Sequence, residues 1–568
     1  MAYNSSHTGA QIDSAVGKVI EKSGTWDNKQ DKIKGKKGQY AGFTEDNVLG
    51  AVNAPSSGGG SIITITFAAD FVGQAWTLKG GGETYTGTVD SSKTATVSVL
   101  GINTTYTLSA ALSGTTYTAE VTTKDYYTAL TVTLEKFQST ITVTVDSGST
   151  VTATLGSTVL TKTSNGTAVF TVSKAGTWAI KATKGYQTAE GTVSVTASGQ
   201  SKALTLSYAN VFGVCWDTSN SSTALTRLTP STDPYGLVTR SVTTEPKPAA
   251  GSGSGSSPFD AYAPWNGMKE CNLNASGTVT AWKGDSGFSR SNNYTMVFIP
   301  VFYVAQKRSG TKQYFYVSDK PKTGMTKHPG SGKYVGRYHM NDGADGYSKT
   351  GVPSFVDITR TSARGTAKSN GSKFHLYDFA AYCAIIFLYI VEFADWNSQS
   401  KIGKGVVGES YSQSSGGTDV MKYHTGNVQG YRDGITYVQY RWLENLWGNV
   451  FQLVDGFNAN GTTAYYCTDP SKYADDTATG YTNIGTLPES GWIKDLTVTD
   501  NGLLIPKTSG GSETMYIPDY VYSSSGWRVL FVGGGWAGGL VAGLLCFYAD
   551  SASSGSSSNV SARLMCEP

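Results

Sequence analysis

Two stretches of the chain alternate apolar and polar residues, and each begins and ends on its clearest run. The first opens with Ser61-Ile-Ile-Thr-Ile-Thr-Phe and closes with Leu130-Thr-Val-Thr-Leu. The second opens with Ser139-Thr-Ile-Thr-Val-Thr-Val and closes with Ala203-Leu-Thr-Leu-Ser-Tyr. Between these ends lie short Thr/Val/Ala runs separated by Gly, Asn-Gly or Ser-Gly turns. Successive side chains of a strand point to opposite faces, so the alternation predicts strands with one buried face. Regularly spaced turns predict two antiparallel β-sandwiches, over 59–135 and 136–208.

A helical period replaces the alternation in two places. Thr8 and Gln11 make a capping-box pattern, and Ile12, Ala15, Val16, Val19 and Ile20 line one face over 8–22. A helix this short is marginal alone in water, which predicts self-association. Within 374–405, Phe379, Cys383, Ile386, Phe387, Ile390 and Val391 sit at helical spacing and predict a largely buried helix. Its uncharged run ends at Glu392, too short to span a bilayer. Residues 294–304 read as an apolar strand pair, and Val450–Val454 as a strand after a Trp447-Gly448-Asn449 turn. Because the Thr alternation stops and Trp, Tyr, Asn and Asp rise, 209–568 is set apart as a C-terminal domain. Residues 1–58, closed by the Ala54–Gly60 linker, form the N-terminal segment.

From Val529 to Ala549 no residue is charged. About twenty apolar residues suffice for a membrane helix. Gly533, Gly534, Gly535, Gly538, Gly539 and Gly543 argue against one, since each costs a helix roughly 1 kcal/mol relative to Ala. Short buried strands joined by glycine turns are expected instead, with no membrane insertion.

The 568 residues carry a net charge of +3, with 15 % charged residues, and no basic stripe marks a nucleic-acid partner. The 34 Tyr and 12 Trp suit recognition of carbohydrate or protein. Cys215, Cys271, Cys383, Cys467, Cys546 and Cys566 form no C-x-x-C pair; free thiols and disulfides both stay open. His7, His328, His339, His375 and His424 make no metal-binding grouping. Asp342 and Asp345 lack the late Glu of a calcium loop, and Asp475-Asp476 reads as a solvated loop. No catalytic residue, metal or cofactor is predicted. The N-terminus shows no basic region followed by an apolar stretch, so no signal peptide is expected.

The terminal pattern GWRVL, GG-x-W-x-x-G-x-x-AGL and SSSNVSARL resembles the variable region of proteins diversified by retroelements, receptor-binding tail-tip proteins of some bacteriophages. That resemblance implies a C-type-lectin-like domain over 209–568, with a variable segment at about 527–568. Gly535, Ala537, Gly538, Leu540, Val541, Tyr548, Asp550 and Ser551 are all reachable from an Asn codon by changing its first two bases. Cys546 is reachable from a Tyr codon. These positions are implied as the receptor-binding face, with Gly533, Gly534, Trp536, Gly539, Gly543 and Arg563 as scaffold.

HTGAQID followed by WDNKQDK resembles the N-terminal region of phage tail fibres. It implies a homotrimer joined there to other tail or baseplate proteins. The sandwiches resemble Ig-like spacer modules, and 374–458 resembles the lectin-like fold and, distantly, that of the formylglycine-generating enzyme. The expected fold class is mainly β and multidomain: a short N-terminal helix, two Ig-like β-sandwiches and a C-terminal α+β C-type-lectin-like domain. The expected function is a non-enzymatic virion protein that binds a host cell-surface receptor, glycan or protein. One rival is a structural decoration or spacer protein. The other is an oxidase of the formylglycine-generating class, for which Cys546 and Cys566 lack an evident activating neighbour.

Overall fold

The computed structural model describes residues 39–43, 49–53 and 60–568, apart from 126, 342, 344 and 433. The helix expected at 8–22 and the basic run Lys32, Lys34, Lys36 and Lys37 lie outside the described residues. The fold is mainly β. The chain divides into two compact units, Met1–Ala182 with Glu190–Ser207, and Thr183–Ala189 with Tyr208–Pro568.

In the first unit both alternating stretches form β-sandwiches, and the two share one topology. In the first sandwich, Ser61–Phe67 lies between Thr94–Val99 and Ala129–Leu134 in a three-stranded sheet. It runs antiparallel to the former and parallel to the latter. The facing sheet orders Glu83–Thr88, Ala75–Gly80, Thr105–Leu112 and Thr115–Thr122. The second sandwich repeats this strand for strand. Ser139–Thr144 lies between Thr167–Val172 and Ser201–Thr205, opposite a sheet built from 150–155, 158–163, 176–184 and 187–195. Ile63, Ile65, Trp76, Leu78, Tyr106, Leu108, Val132 and Leu134 fill the first core. Fully burying an aliphatic side chain contributes about 1.5–3 kcal/mol, so the inward positions carry the module. Trp178 is likewise buried in the second core.

The C-terminal unit surrounds helix α2 (Phe379–Phe393), every residue of which is buried. Asp378 caps its first turn by accepting the Ala381 N–H at 2.7 Å, and Ala394 ends it in the left-handed conformation. Two shorter helices flank it, α1 (Arg360–Ser369) and α3 (Ser398–Lys401). Glu392, in the last turn of α2, is fully buried and accepts from Arg441, Tyr440 at 2.9 Å and Ser257 at 2.8 Å. The apolar stretch 294–304 does supply two strands, but they do not pair with each other. Thr295–Ile299 enters a six-stranded sheet and Tyr303–Ser309 a five-stranded one, with Pro300 at the crossing.

Other groups read from sequence as loose are held inside. Asp475 is not solvated: it pairs with Arg360 at 2.6 Å and Arg364 at 2.7 Å. Burial opposes its charge, but the two guanidiniums hold its carboxyl down at about 2. His328 is buried and stacked on Phe302, and burial lowers its pKa to about 3. All six cysteines are free thiols. Among the described residues no group of three or more His, Cys, Asp or Glu gathers as metal ligands would, and no helix is long and apolar enough to cross a membrane. Asp342 lies outside the described residues.

Candidate binding face of the terminal segment

The terminal segment contributes to two sheets. Trp527–Val532 lies between Phe451–Asn460 and Phe547–Ser551 in a nine-stranded sheet. Val560–Ser561 pairs in parallel with the start of Phe451–Asn460, and Arg563–Cys566 inserts between Lys333–His339 and Phe374–Leu376 in the six-stranded sheet. Alternating inward residues account for the strands: Val529 and Phe531 face one core cluster, Leu530 and Val532 the other.

Between the strands the backbone approaches its neighbours too closely for side chains. At Gly534 (φ +78°) an added Cβ would fall 2.5 Å from the Ala542 Cβ. At Gly543 it would fall 1.8 Å from the Asp519 carboxylate. Asp519 is itself buried and accepts the Leu545 N–H at 2.6 Å. With no cation beside it, burial raises its pKa to about 7.

Arg563 fastens the end of the segment. Its fully buried guanidinium donates to the carbonyls of Gly336 (2.8 Å), Arg337 (2.7 Å) and Glu444 (2.7 Å), and to the Gln452 side-chain oxygen (2.8 Å). Burial lowers its pKa to about 10. The charge is thus met by oriented carbonyl dipoles rather than by a bound carboxylate.

The positions implied as receptor-binding divide by depth. Ala537 and Leu540 are exposed, Leu540 at 48 %. Gly538, Val541, Tyr548, Asp550 and Ser551 are half-buried. Gly535 and Cys546 lie inside. The Gly535 backbone sits against the Phe451 ring and Asn559, and Cys546 is fully enclosed in the core beside Phe531. Burial pushes the Cys546 thiol well above its ordinary pKa. Tyr548 is wedged in an aromatic row, edge-on to Tyr522 at 4.2 Å and tilted on Phe451 at 4.7 Å. Among the scaffold positions, Gly533 accepts the Gly448 N–H at 3.0 Å, while half-buried Trp536 and Gly539 lie on the exposed turn.

A neighbouring loop extends this face, and nothing in the sequence pattern singles it out. The Trp536 carbonyl accepts the Glu409 N–H at 2.8 Å, and Gly539 N–H donates to Val407 at 2.9 Å. The Glu409 carboxylate in turn accepts the Tyr431 hydroxyl. Tyr431 and Tyr411 stand 54 % and 60 % exposed, so two large rings flank the turn that carries Ala537 and Leu540. The only signal available was the general excess of Tyr.

No protein-family model and no curated protein matches the sequence. Among solved structures, the chain is similar to Major Tropism Determinant variants U1 and I1, at 11 % and 12 % identity. Both likenesses cover 70 % of this chain and 82 % of theirs, with TM-scores of 0.23 and 0.24. It is also similar to the Bacillus anthracis TIE protein, at 11 % identity and a TM-score of 0.14, over 34 % of this chain. The chain spans about half the length of that protein, 47 %, and 28 % of the SpaC pilus adhesin of Lactobacillus rhamnosus GG, which it also resembles.

Proposed function

We infer that the chain is a bacteriophage tail-tip or fibre protein whose C-terminal unit, C-type-lectin-like, binds a receptor on the host cell. The observation that carries this reading is the turn around Ala537 and Leu540. It is exposed at its tip, yet both its flanks run into strands of the nine-stranded sheet. Residues at the tip can change without disturbing the core, while Gly534, Gly543 and Arg563 keep the backbone in place. Binding of this kind needs a rigid platform and exposed rings, not perturbed acids or nucleophiles. Tyr411 and Tyr431 supply such rings beside the turn. The sandwiches serve as spacers, the N-terminal segment as the attachment and trimerisation point, and the protein acts on the virion without catalysis. Three copies would raise avidity through effective concentration.

The test is competition for adsorption. The full-length protein, added to host cells before the phage, should block infection, and a Leu540→Ser, Tyr411→Ala, Tyr431→Ala variant should not. Equal blocking by both folded proteins overturns the assignment of the face.

A further inference from the structure

A cleft of about 810 Å³ opens elsewhere on the C-terminal unit and shares no residue with the terminal segment. Its walls are two short 3-10 turns, Pro258–Ala261 and Trp265–Gly267, the hairpin of Lys269–Leu273 with Val279–Trp282, and the pairs Tyr423-His424 and Arg441-Trp442. The volume falls in the range of small-molecule sites, roughly 300–1,000 Å³.

A tight hairpin turn forms part of this wall. Arg441 and Trp442 are consecutive non-glycine residues in the left-handed region, at φ +47° and +72°. They are the two central residues of the hairpin turn that joins Thr436–Tyr440 to Leu443–Glu444, a turn that requires positive φ at both positions, and large side chains there must be held by their surroundings. Here the surroundings are on view. Arg441 is gripped by Glu392 and by Asp260 at 2.9 Å. The Trp442 N–H donates to the His424 carbonyl at 2.8 Å, and its own carbonyl accepts from buried Arg337. The result is a half-buried indole set into the wall of a cleft that the half-buried Trp282 also lines.

The deeper charges of the cleft pair with one another, while Lys269 and Asp285 lie exposed at its edge. Lys283 pairs with Glu270 at 2.9 Å, and its ammonium lies 3.0 Å from the centroid of the Trp442 ring. Asp260 receives Arg441, the Tyr423 hydroxyl at 2.7 Å and a His424 contact at 2.8 Å. Although burial opposes it, the His424 hydrogen bond and the Arg441 charge hold the Asp260 carboxyl far below the usual range. Asp260 is therefore an acceptor only. No deep cation is left to hold a carboxylate or phosphate; Lys283 covers the Trp442 ring, and the cleft instead offers the Trp282 indole with Asp260 and Asp285 as acceptors.

We propose that this cleft binds a neutral pyranose glycan, whose C–H face lies on Trp282 and whose hydroxyls donate to Asp260 and Asp285. Rigid indole surfaces with polar groups at their edges suit a ligand that is apolar on its faces and polar on its rim. The proposal does not rest on the reading of the terminal face.

The test is a glycan array of neutral and acidic oligosaccharides, probed with the full-length protein and followed by calorimetry on the best neutral ligand. The wild type should bind neutral glycans. Trp282→Ala and Asp260→Asn should each weaken that binding at least tenfold while melting within a few degrees of wild type. Leu540→Ser should leave it unchanged. Retained binding in both folded cleft variants, recognition of acidic glycans alone, or no glycan bound overturns the proposal.

Discussion

The sandwiches and the C-terminal unit reach stability by different means. Among the described residues of the sandwiches the buried polar ones are small, Ser61, Thr123, Ser139, Ser149 and Ser164, and no charged side chain is buried. In the C-terminal unit Arg337, Arg360, Arg441 and Arg563 are fully enclosed, together with Glu270, Glu392, Asp378 and Asp455. A β-sandwich needs only one inward residue in every two, and aliphatic and aromatic side chains such as Ile63, Leu78, Tyr106 and Val132 provide it, with Thr facing outward. The irregular unit must bury long loops, and its guanidiniums satisfy backbone carbonyls that no ladder reaches. The first design tolerates substitution piecemeal; the second concentrates consequence in single residues.

The comparison is broken most directly at Arg563. Arg563→Met leaves its buried acceptors unpaired, and we expect a loss of about 3 kcal/mol or more, read as a lower denaturant midpoint. The sandwiches should keep their hydrogen-exchange protection in that variant.

Asp519 sharpens the comparison through pH. It holds its proton more tightly folded than unfolded, with a folded pKa of about 7 against an ordinary 3.8. Its burial is therefore least unfavourable below about pH 4, and stability is lost as pH rises toward about 7. Asp519→Asn should remove that dependence, gaining on the order of 3 kcal/mol over wild type at neutral pH and nothing at pH 3. Parallel denaturation curves across that window would refute this.

A smaller effect belongs to the sandwiches. Ile65→Val should cost about 1 kcal/mol, as a deleted buried methyl does, confined to its own module. At the exposed turn, Leu540→Ser should change stability by less than about 0.5 kcal/mol while altering adsorption. A drop of several degrees in melting temperature there would mean that the turn is part of the core.

Much of this was legible in advance, and the gaps have physical causes. The alternation of Ser61–Phe67 and Ser139–Thr144 marks strands because one face is buried and the other wet. The run through Phe379 and Ile390 marks α2 for a different reason: it is apolar on every side, as a wholly buried helix must be. Buried arginines were not legible, because a charged residue reads as surface until its partners, distant in sequence, are known: Arg441 and Glu392 are forty-nine positions apart. Asp475 was misread for this reason. The depth of Cys546 was hidden because codon reachability says nothing about which way a side chain faces. The apolar stretch 294–304 looked like one pair, since composition does not reveal that Pro300 sends its halves to separate sheets. The cleft left its trace only as the pair Arg441-Trp442, whose left-handed backbone no propensity would suggest.

In each sandwich the opening and closing strands lie side by side and run parallel: Ile62–Phe67 against Ala129–Leu134, and Thr140–Thr144 against Ser201–Thr205. Tension applied along the chain therefore pulls these partners past each other. Every hydrogen bond of the ladder then bears load at once, instead of opening one by one as in an unzipping hairpin. Forced unfolding is governed by the unfolding rate rather than by equilibrium stability. A tether made of two such modules would resist a sudden tug far better than its small cores suggest, and would give way in two discrete steps of extension.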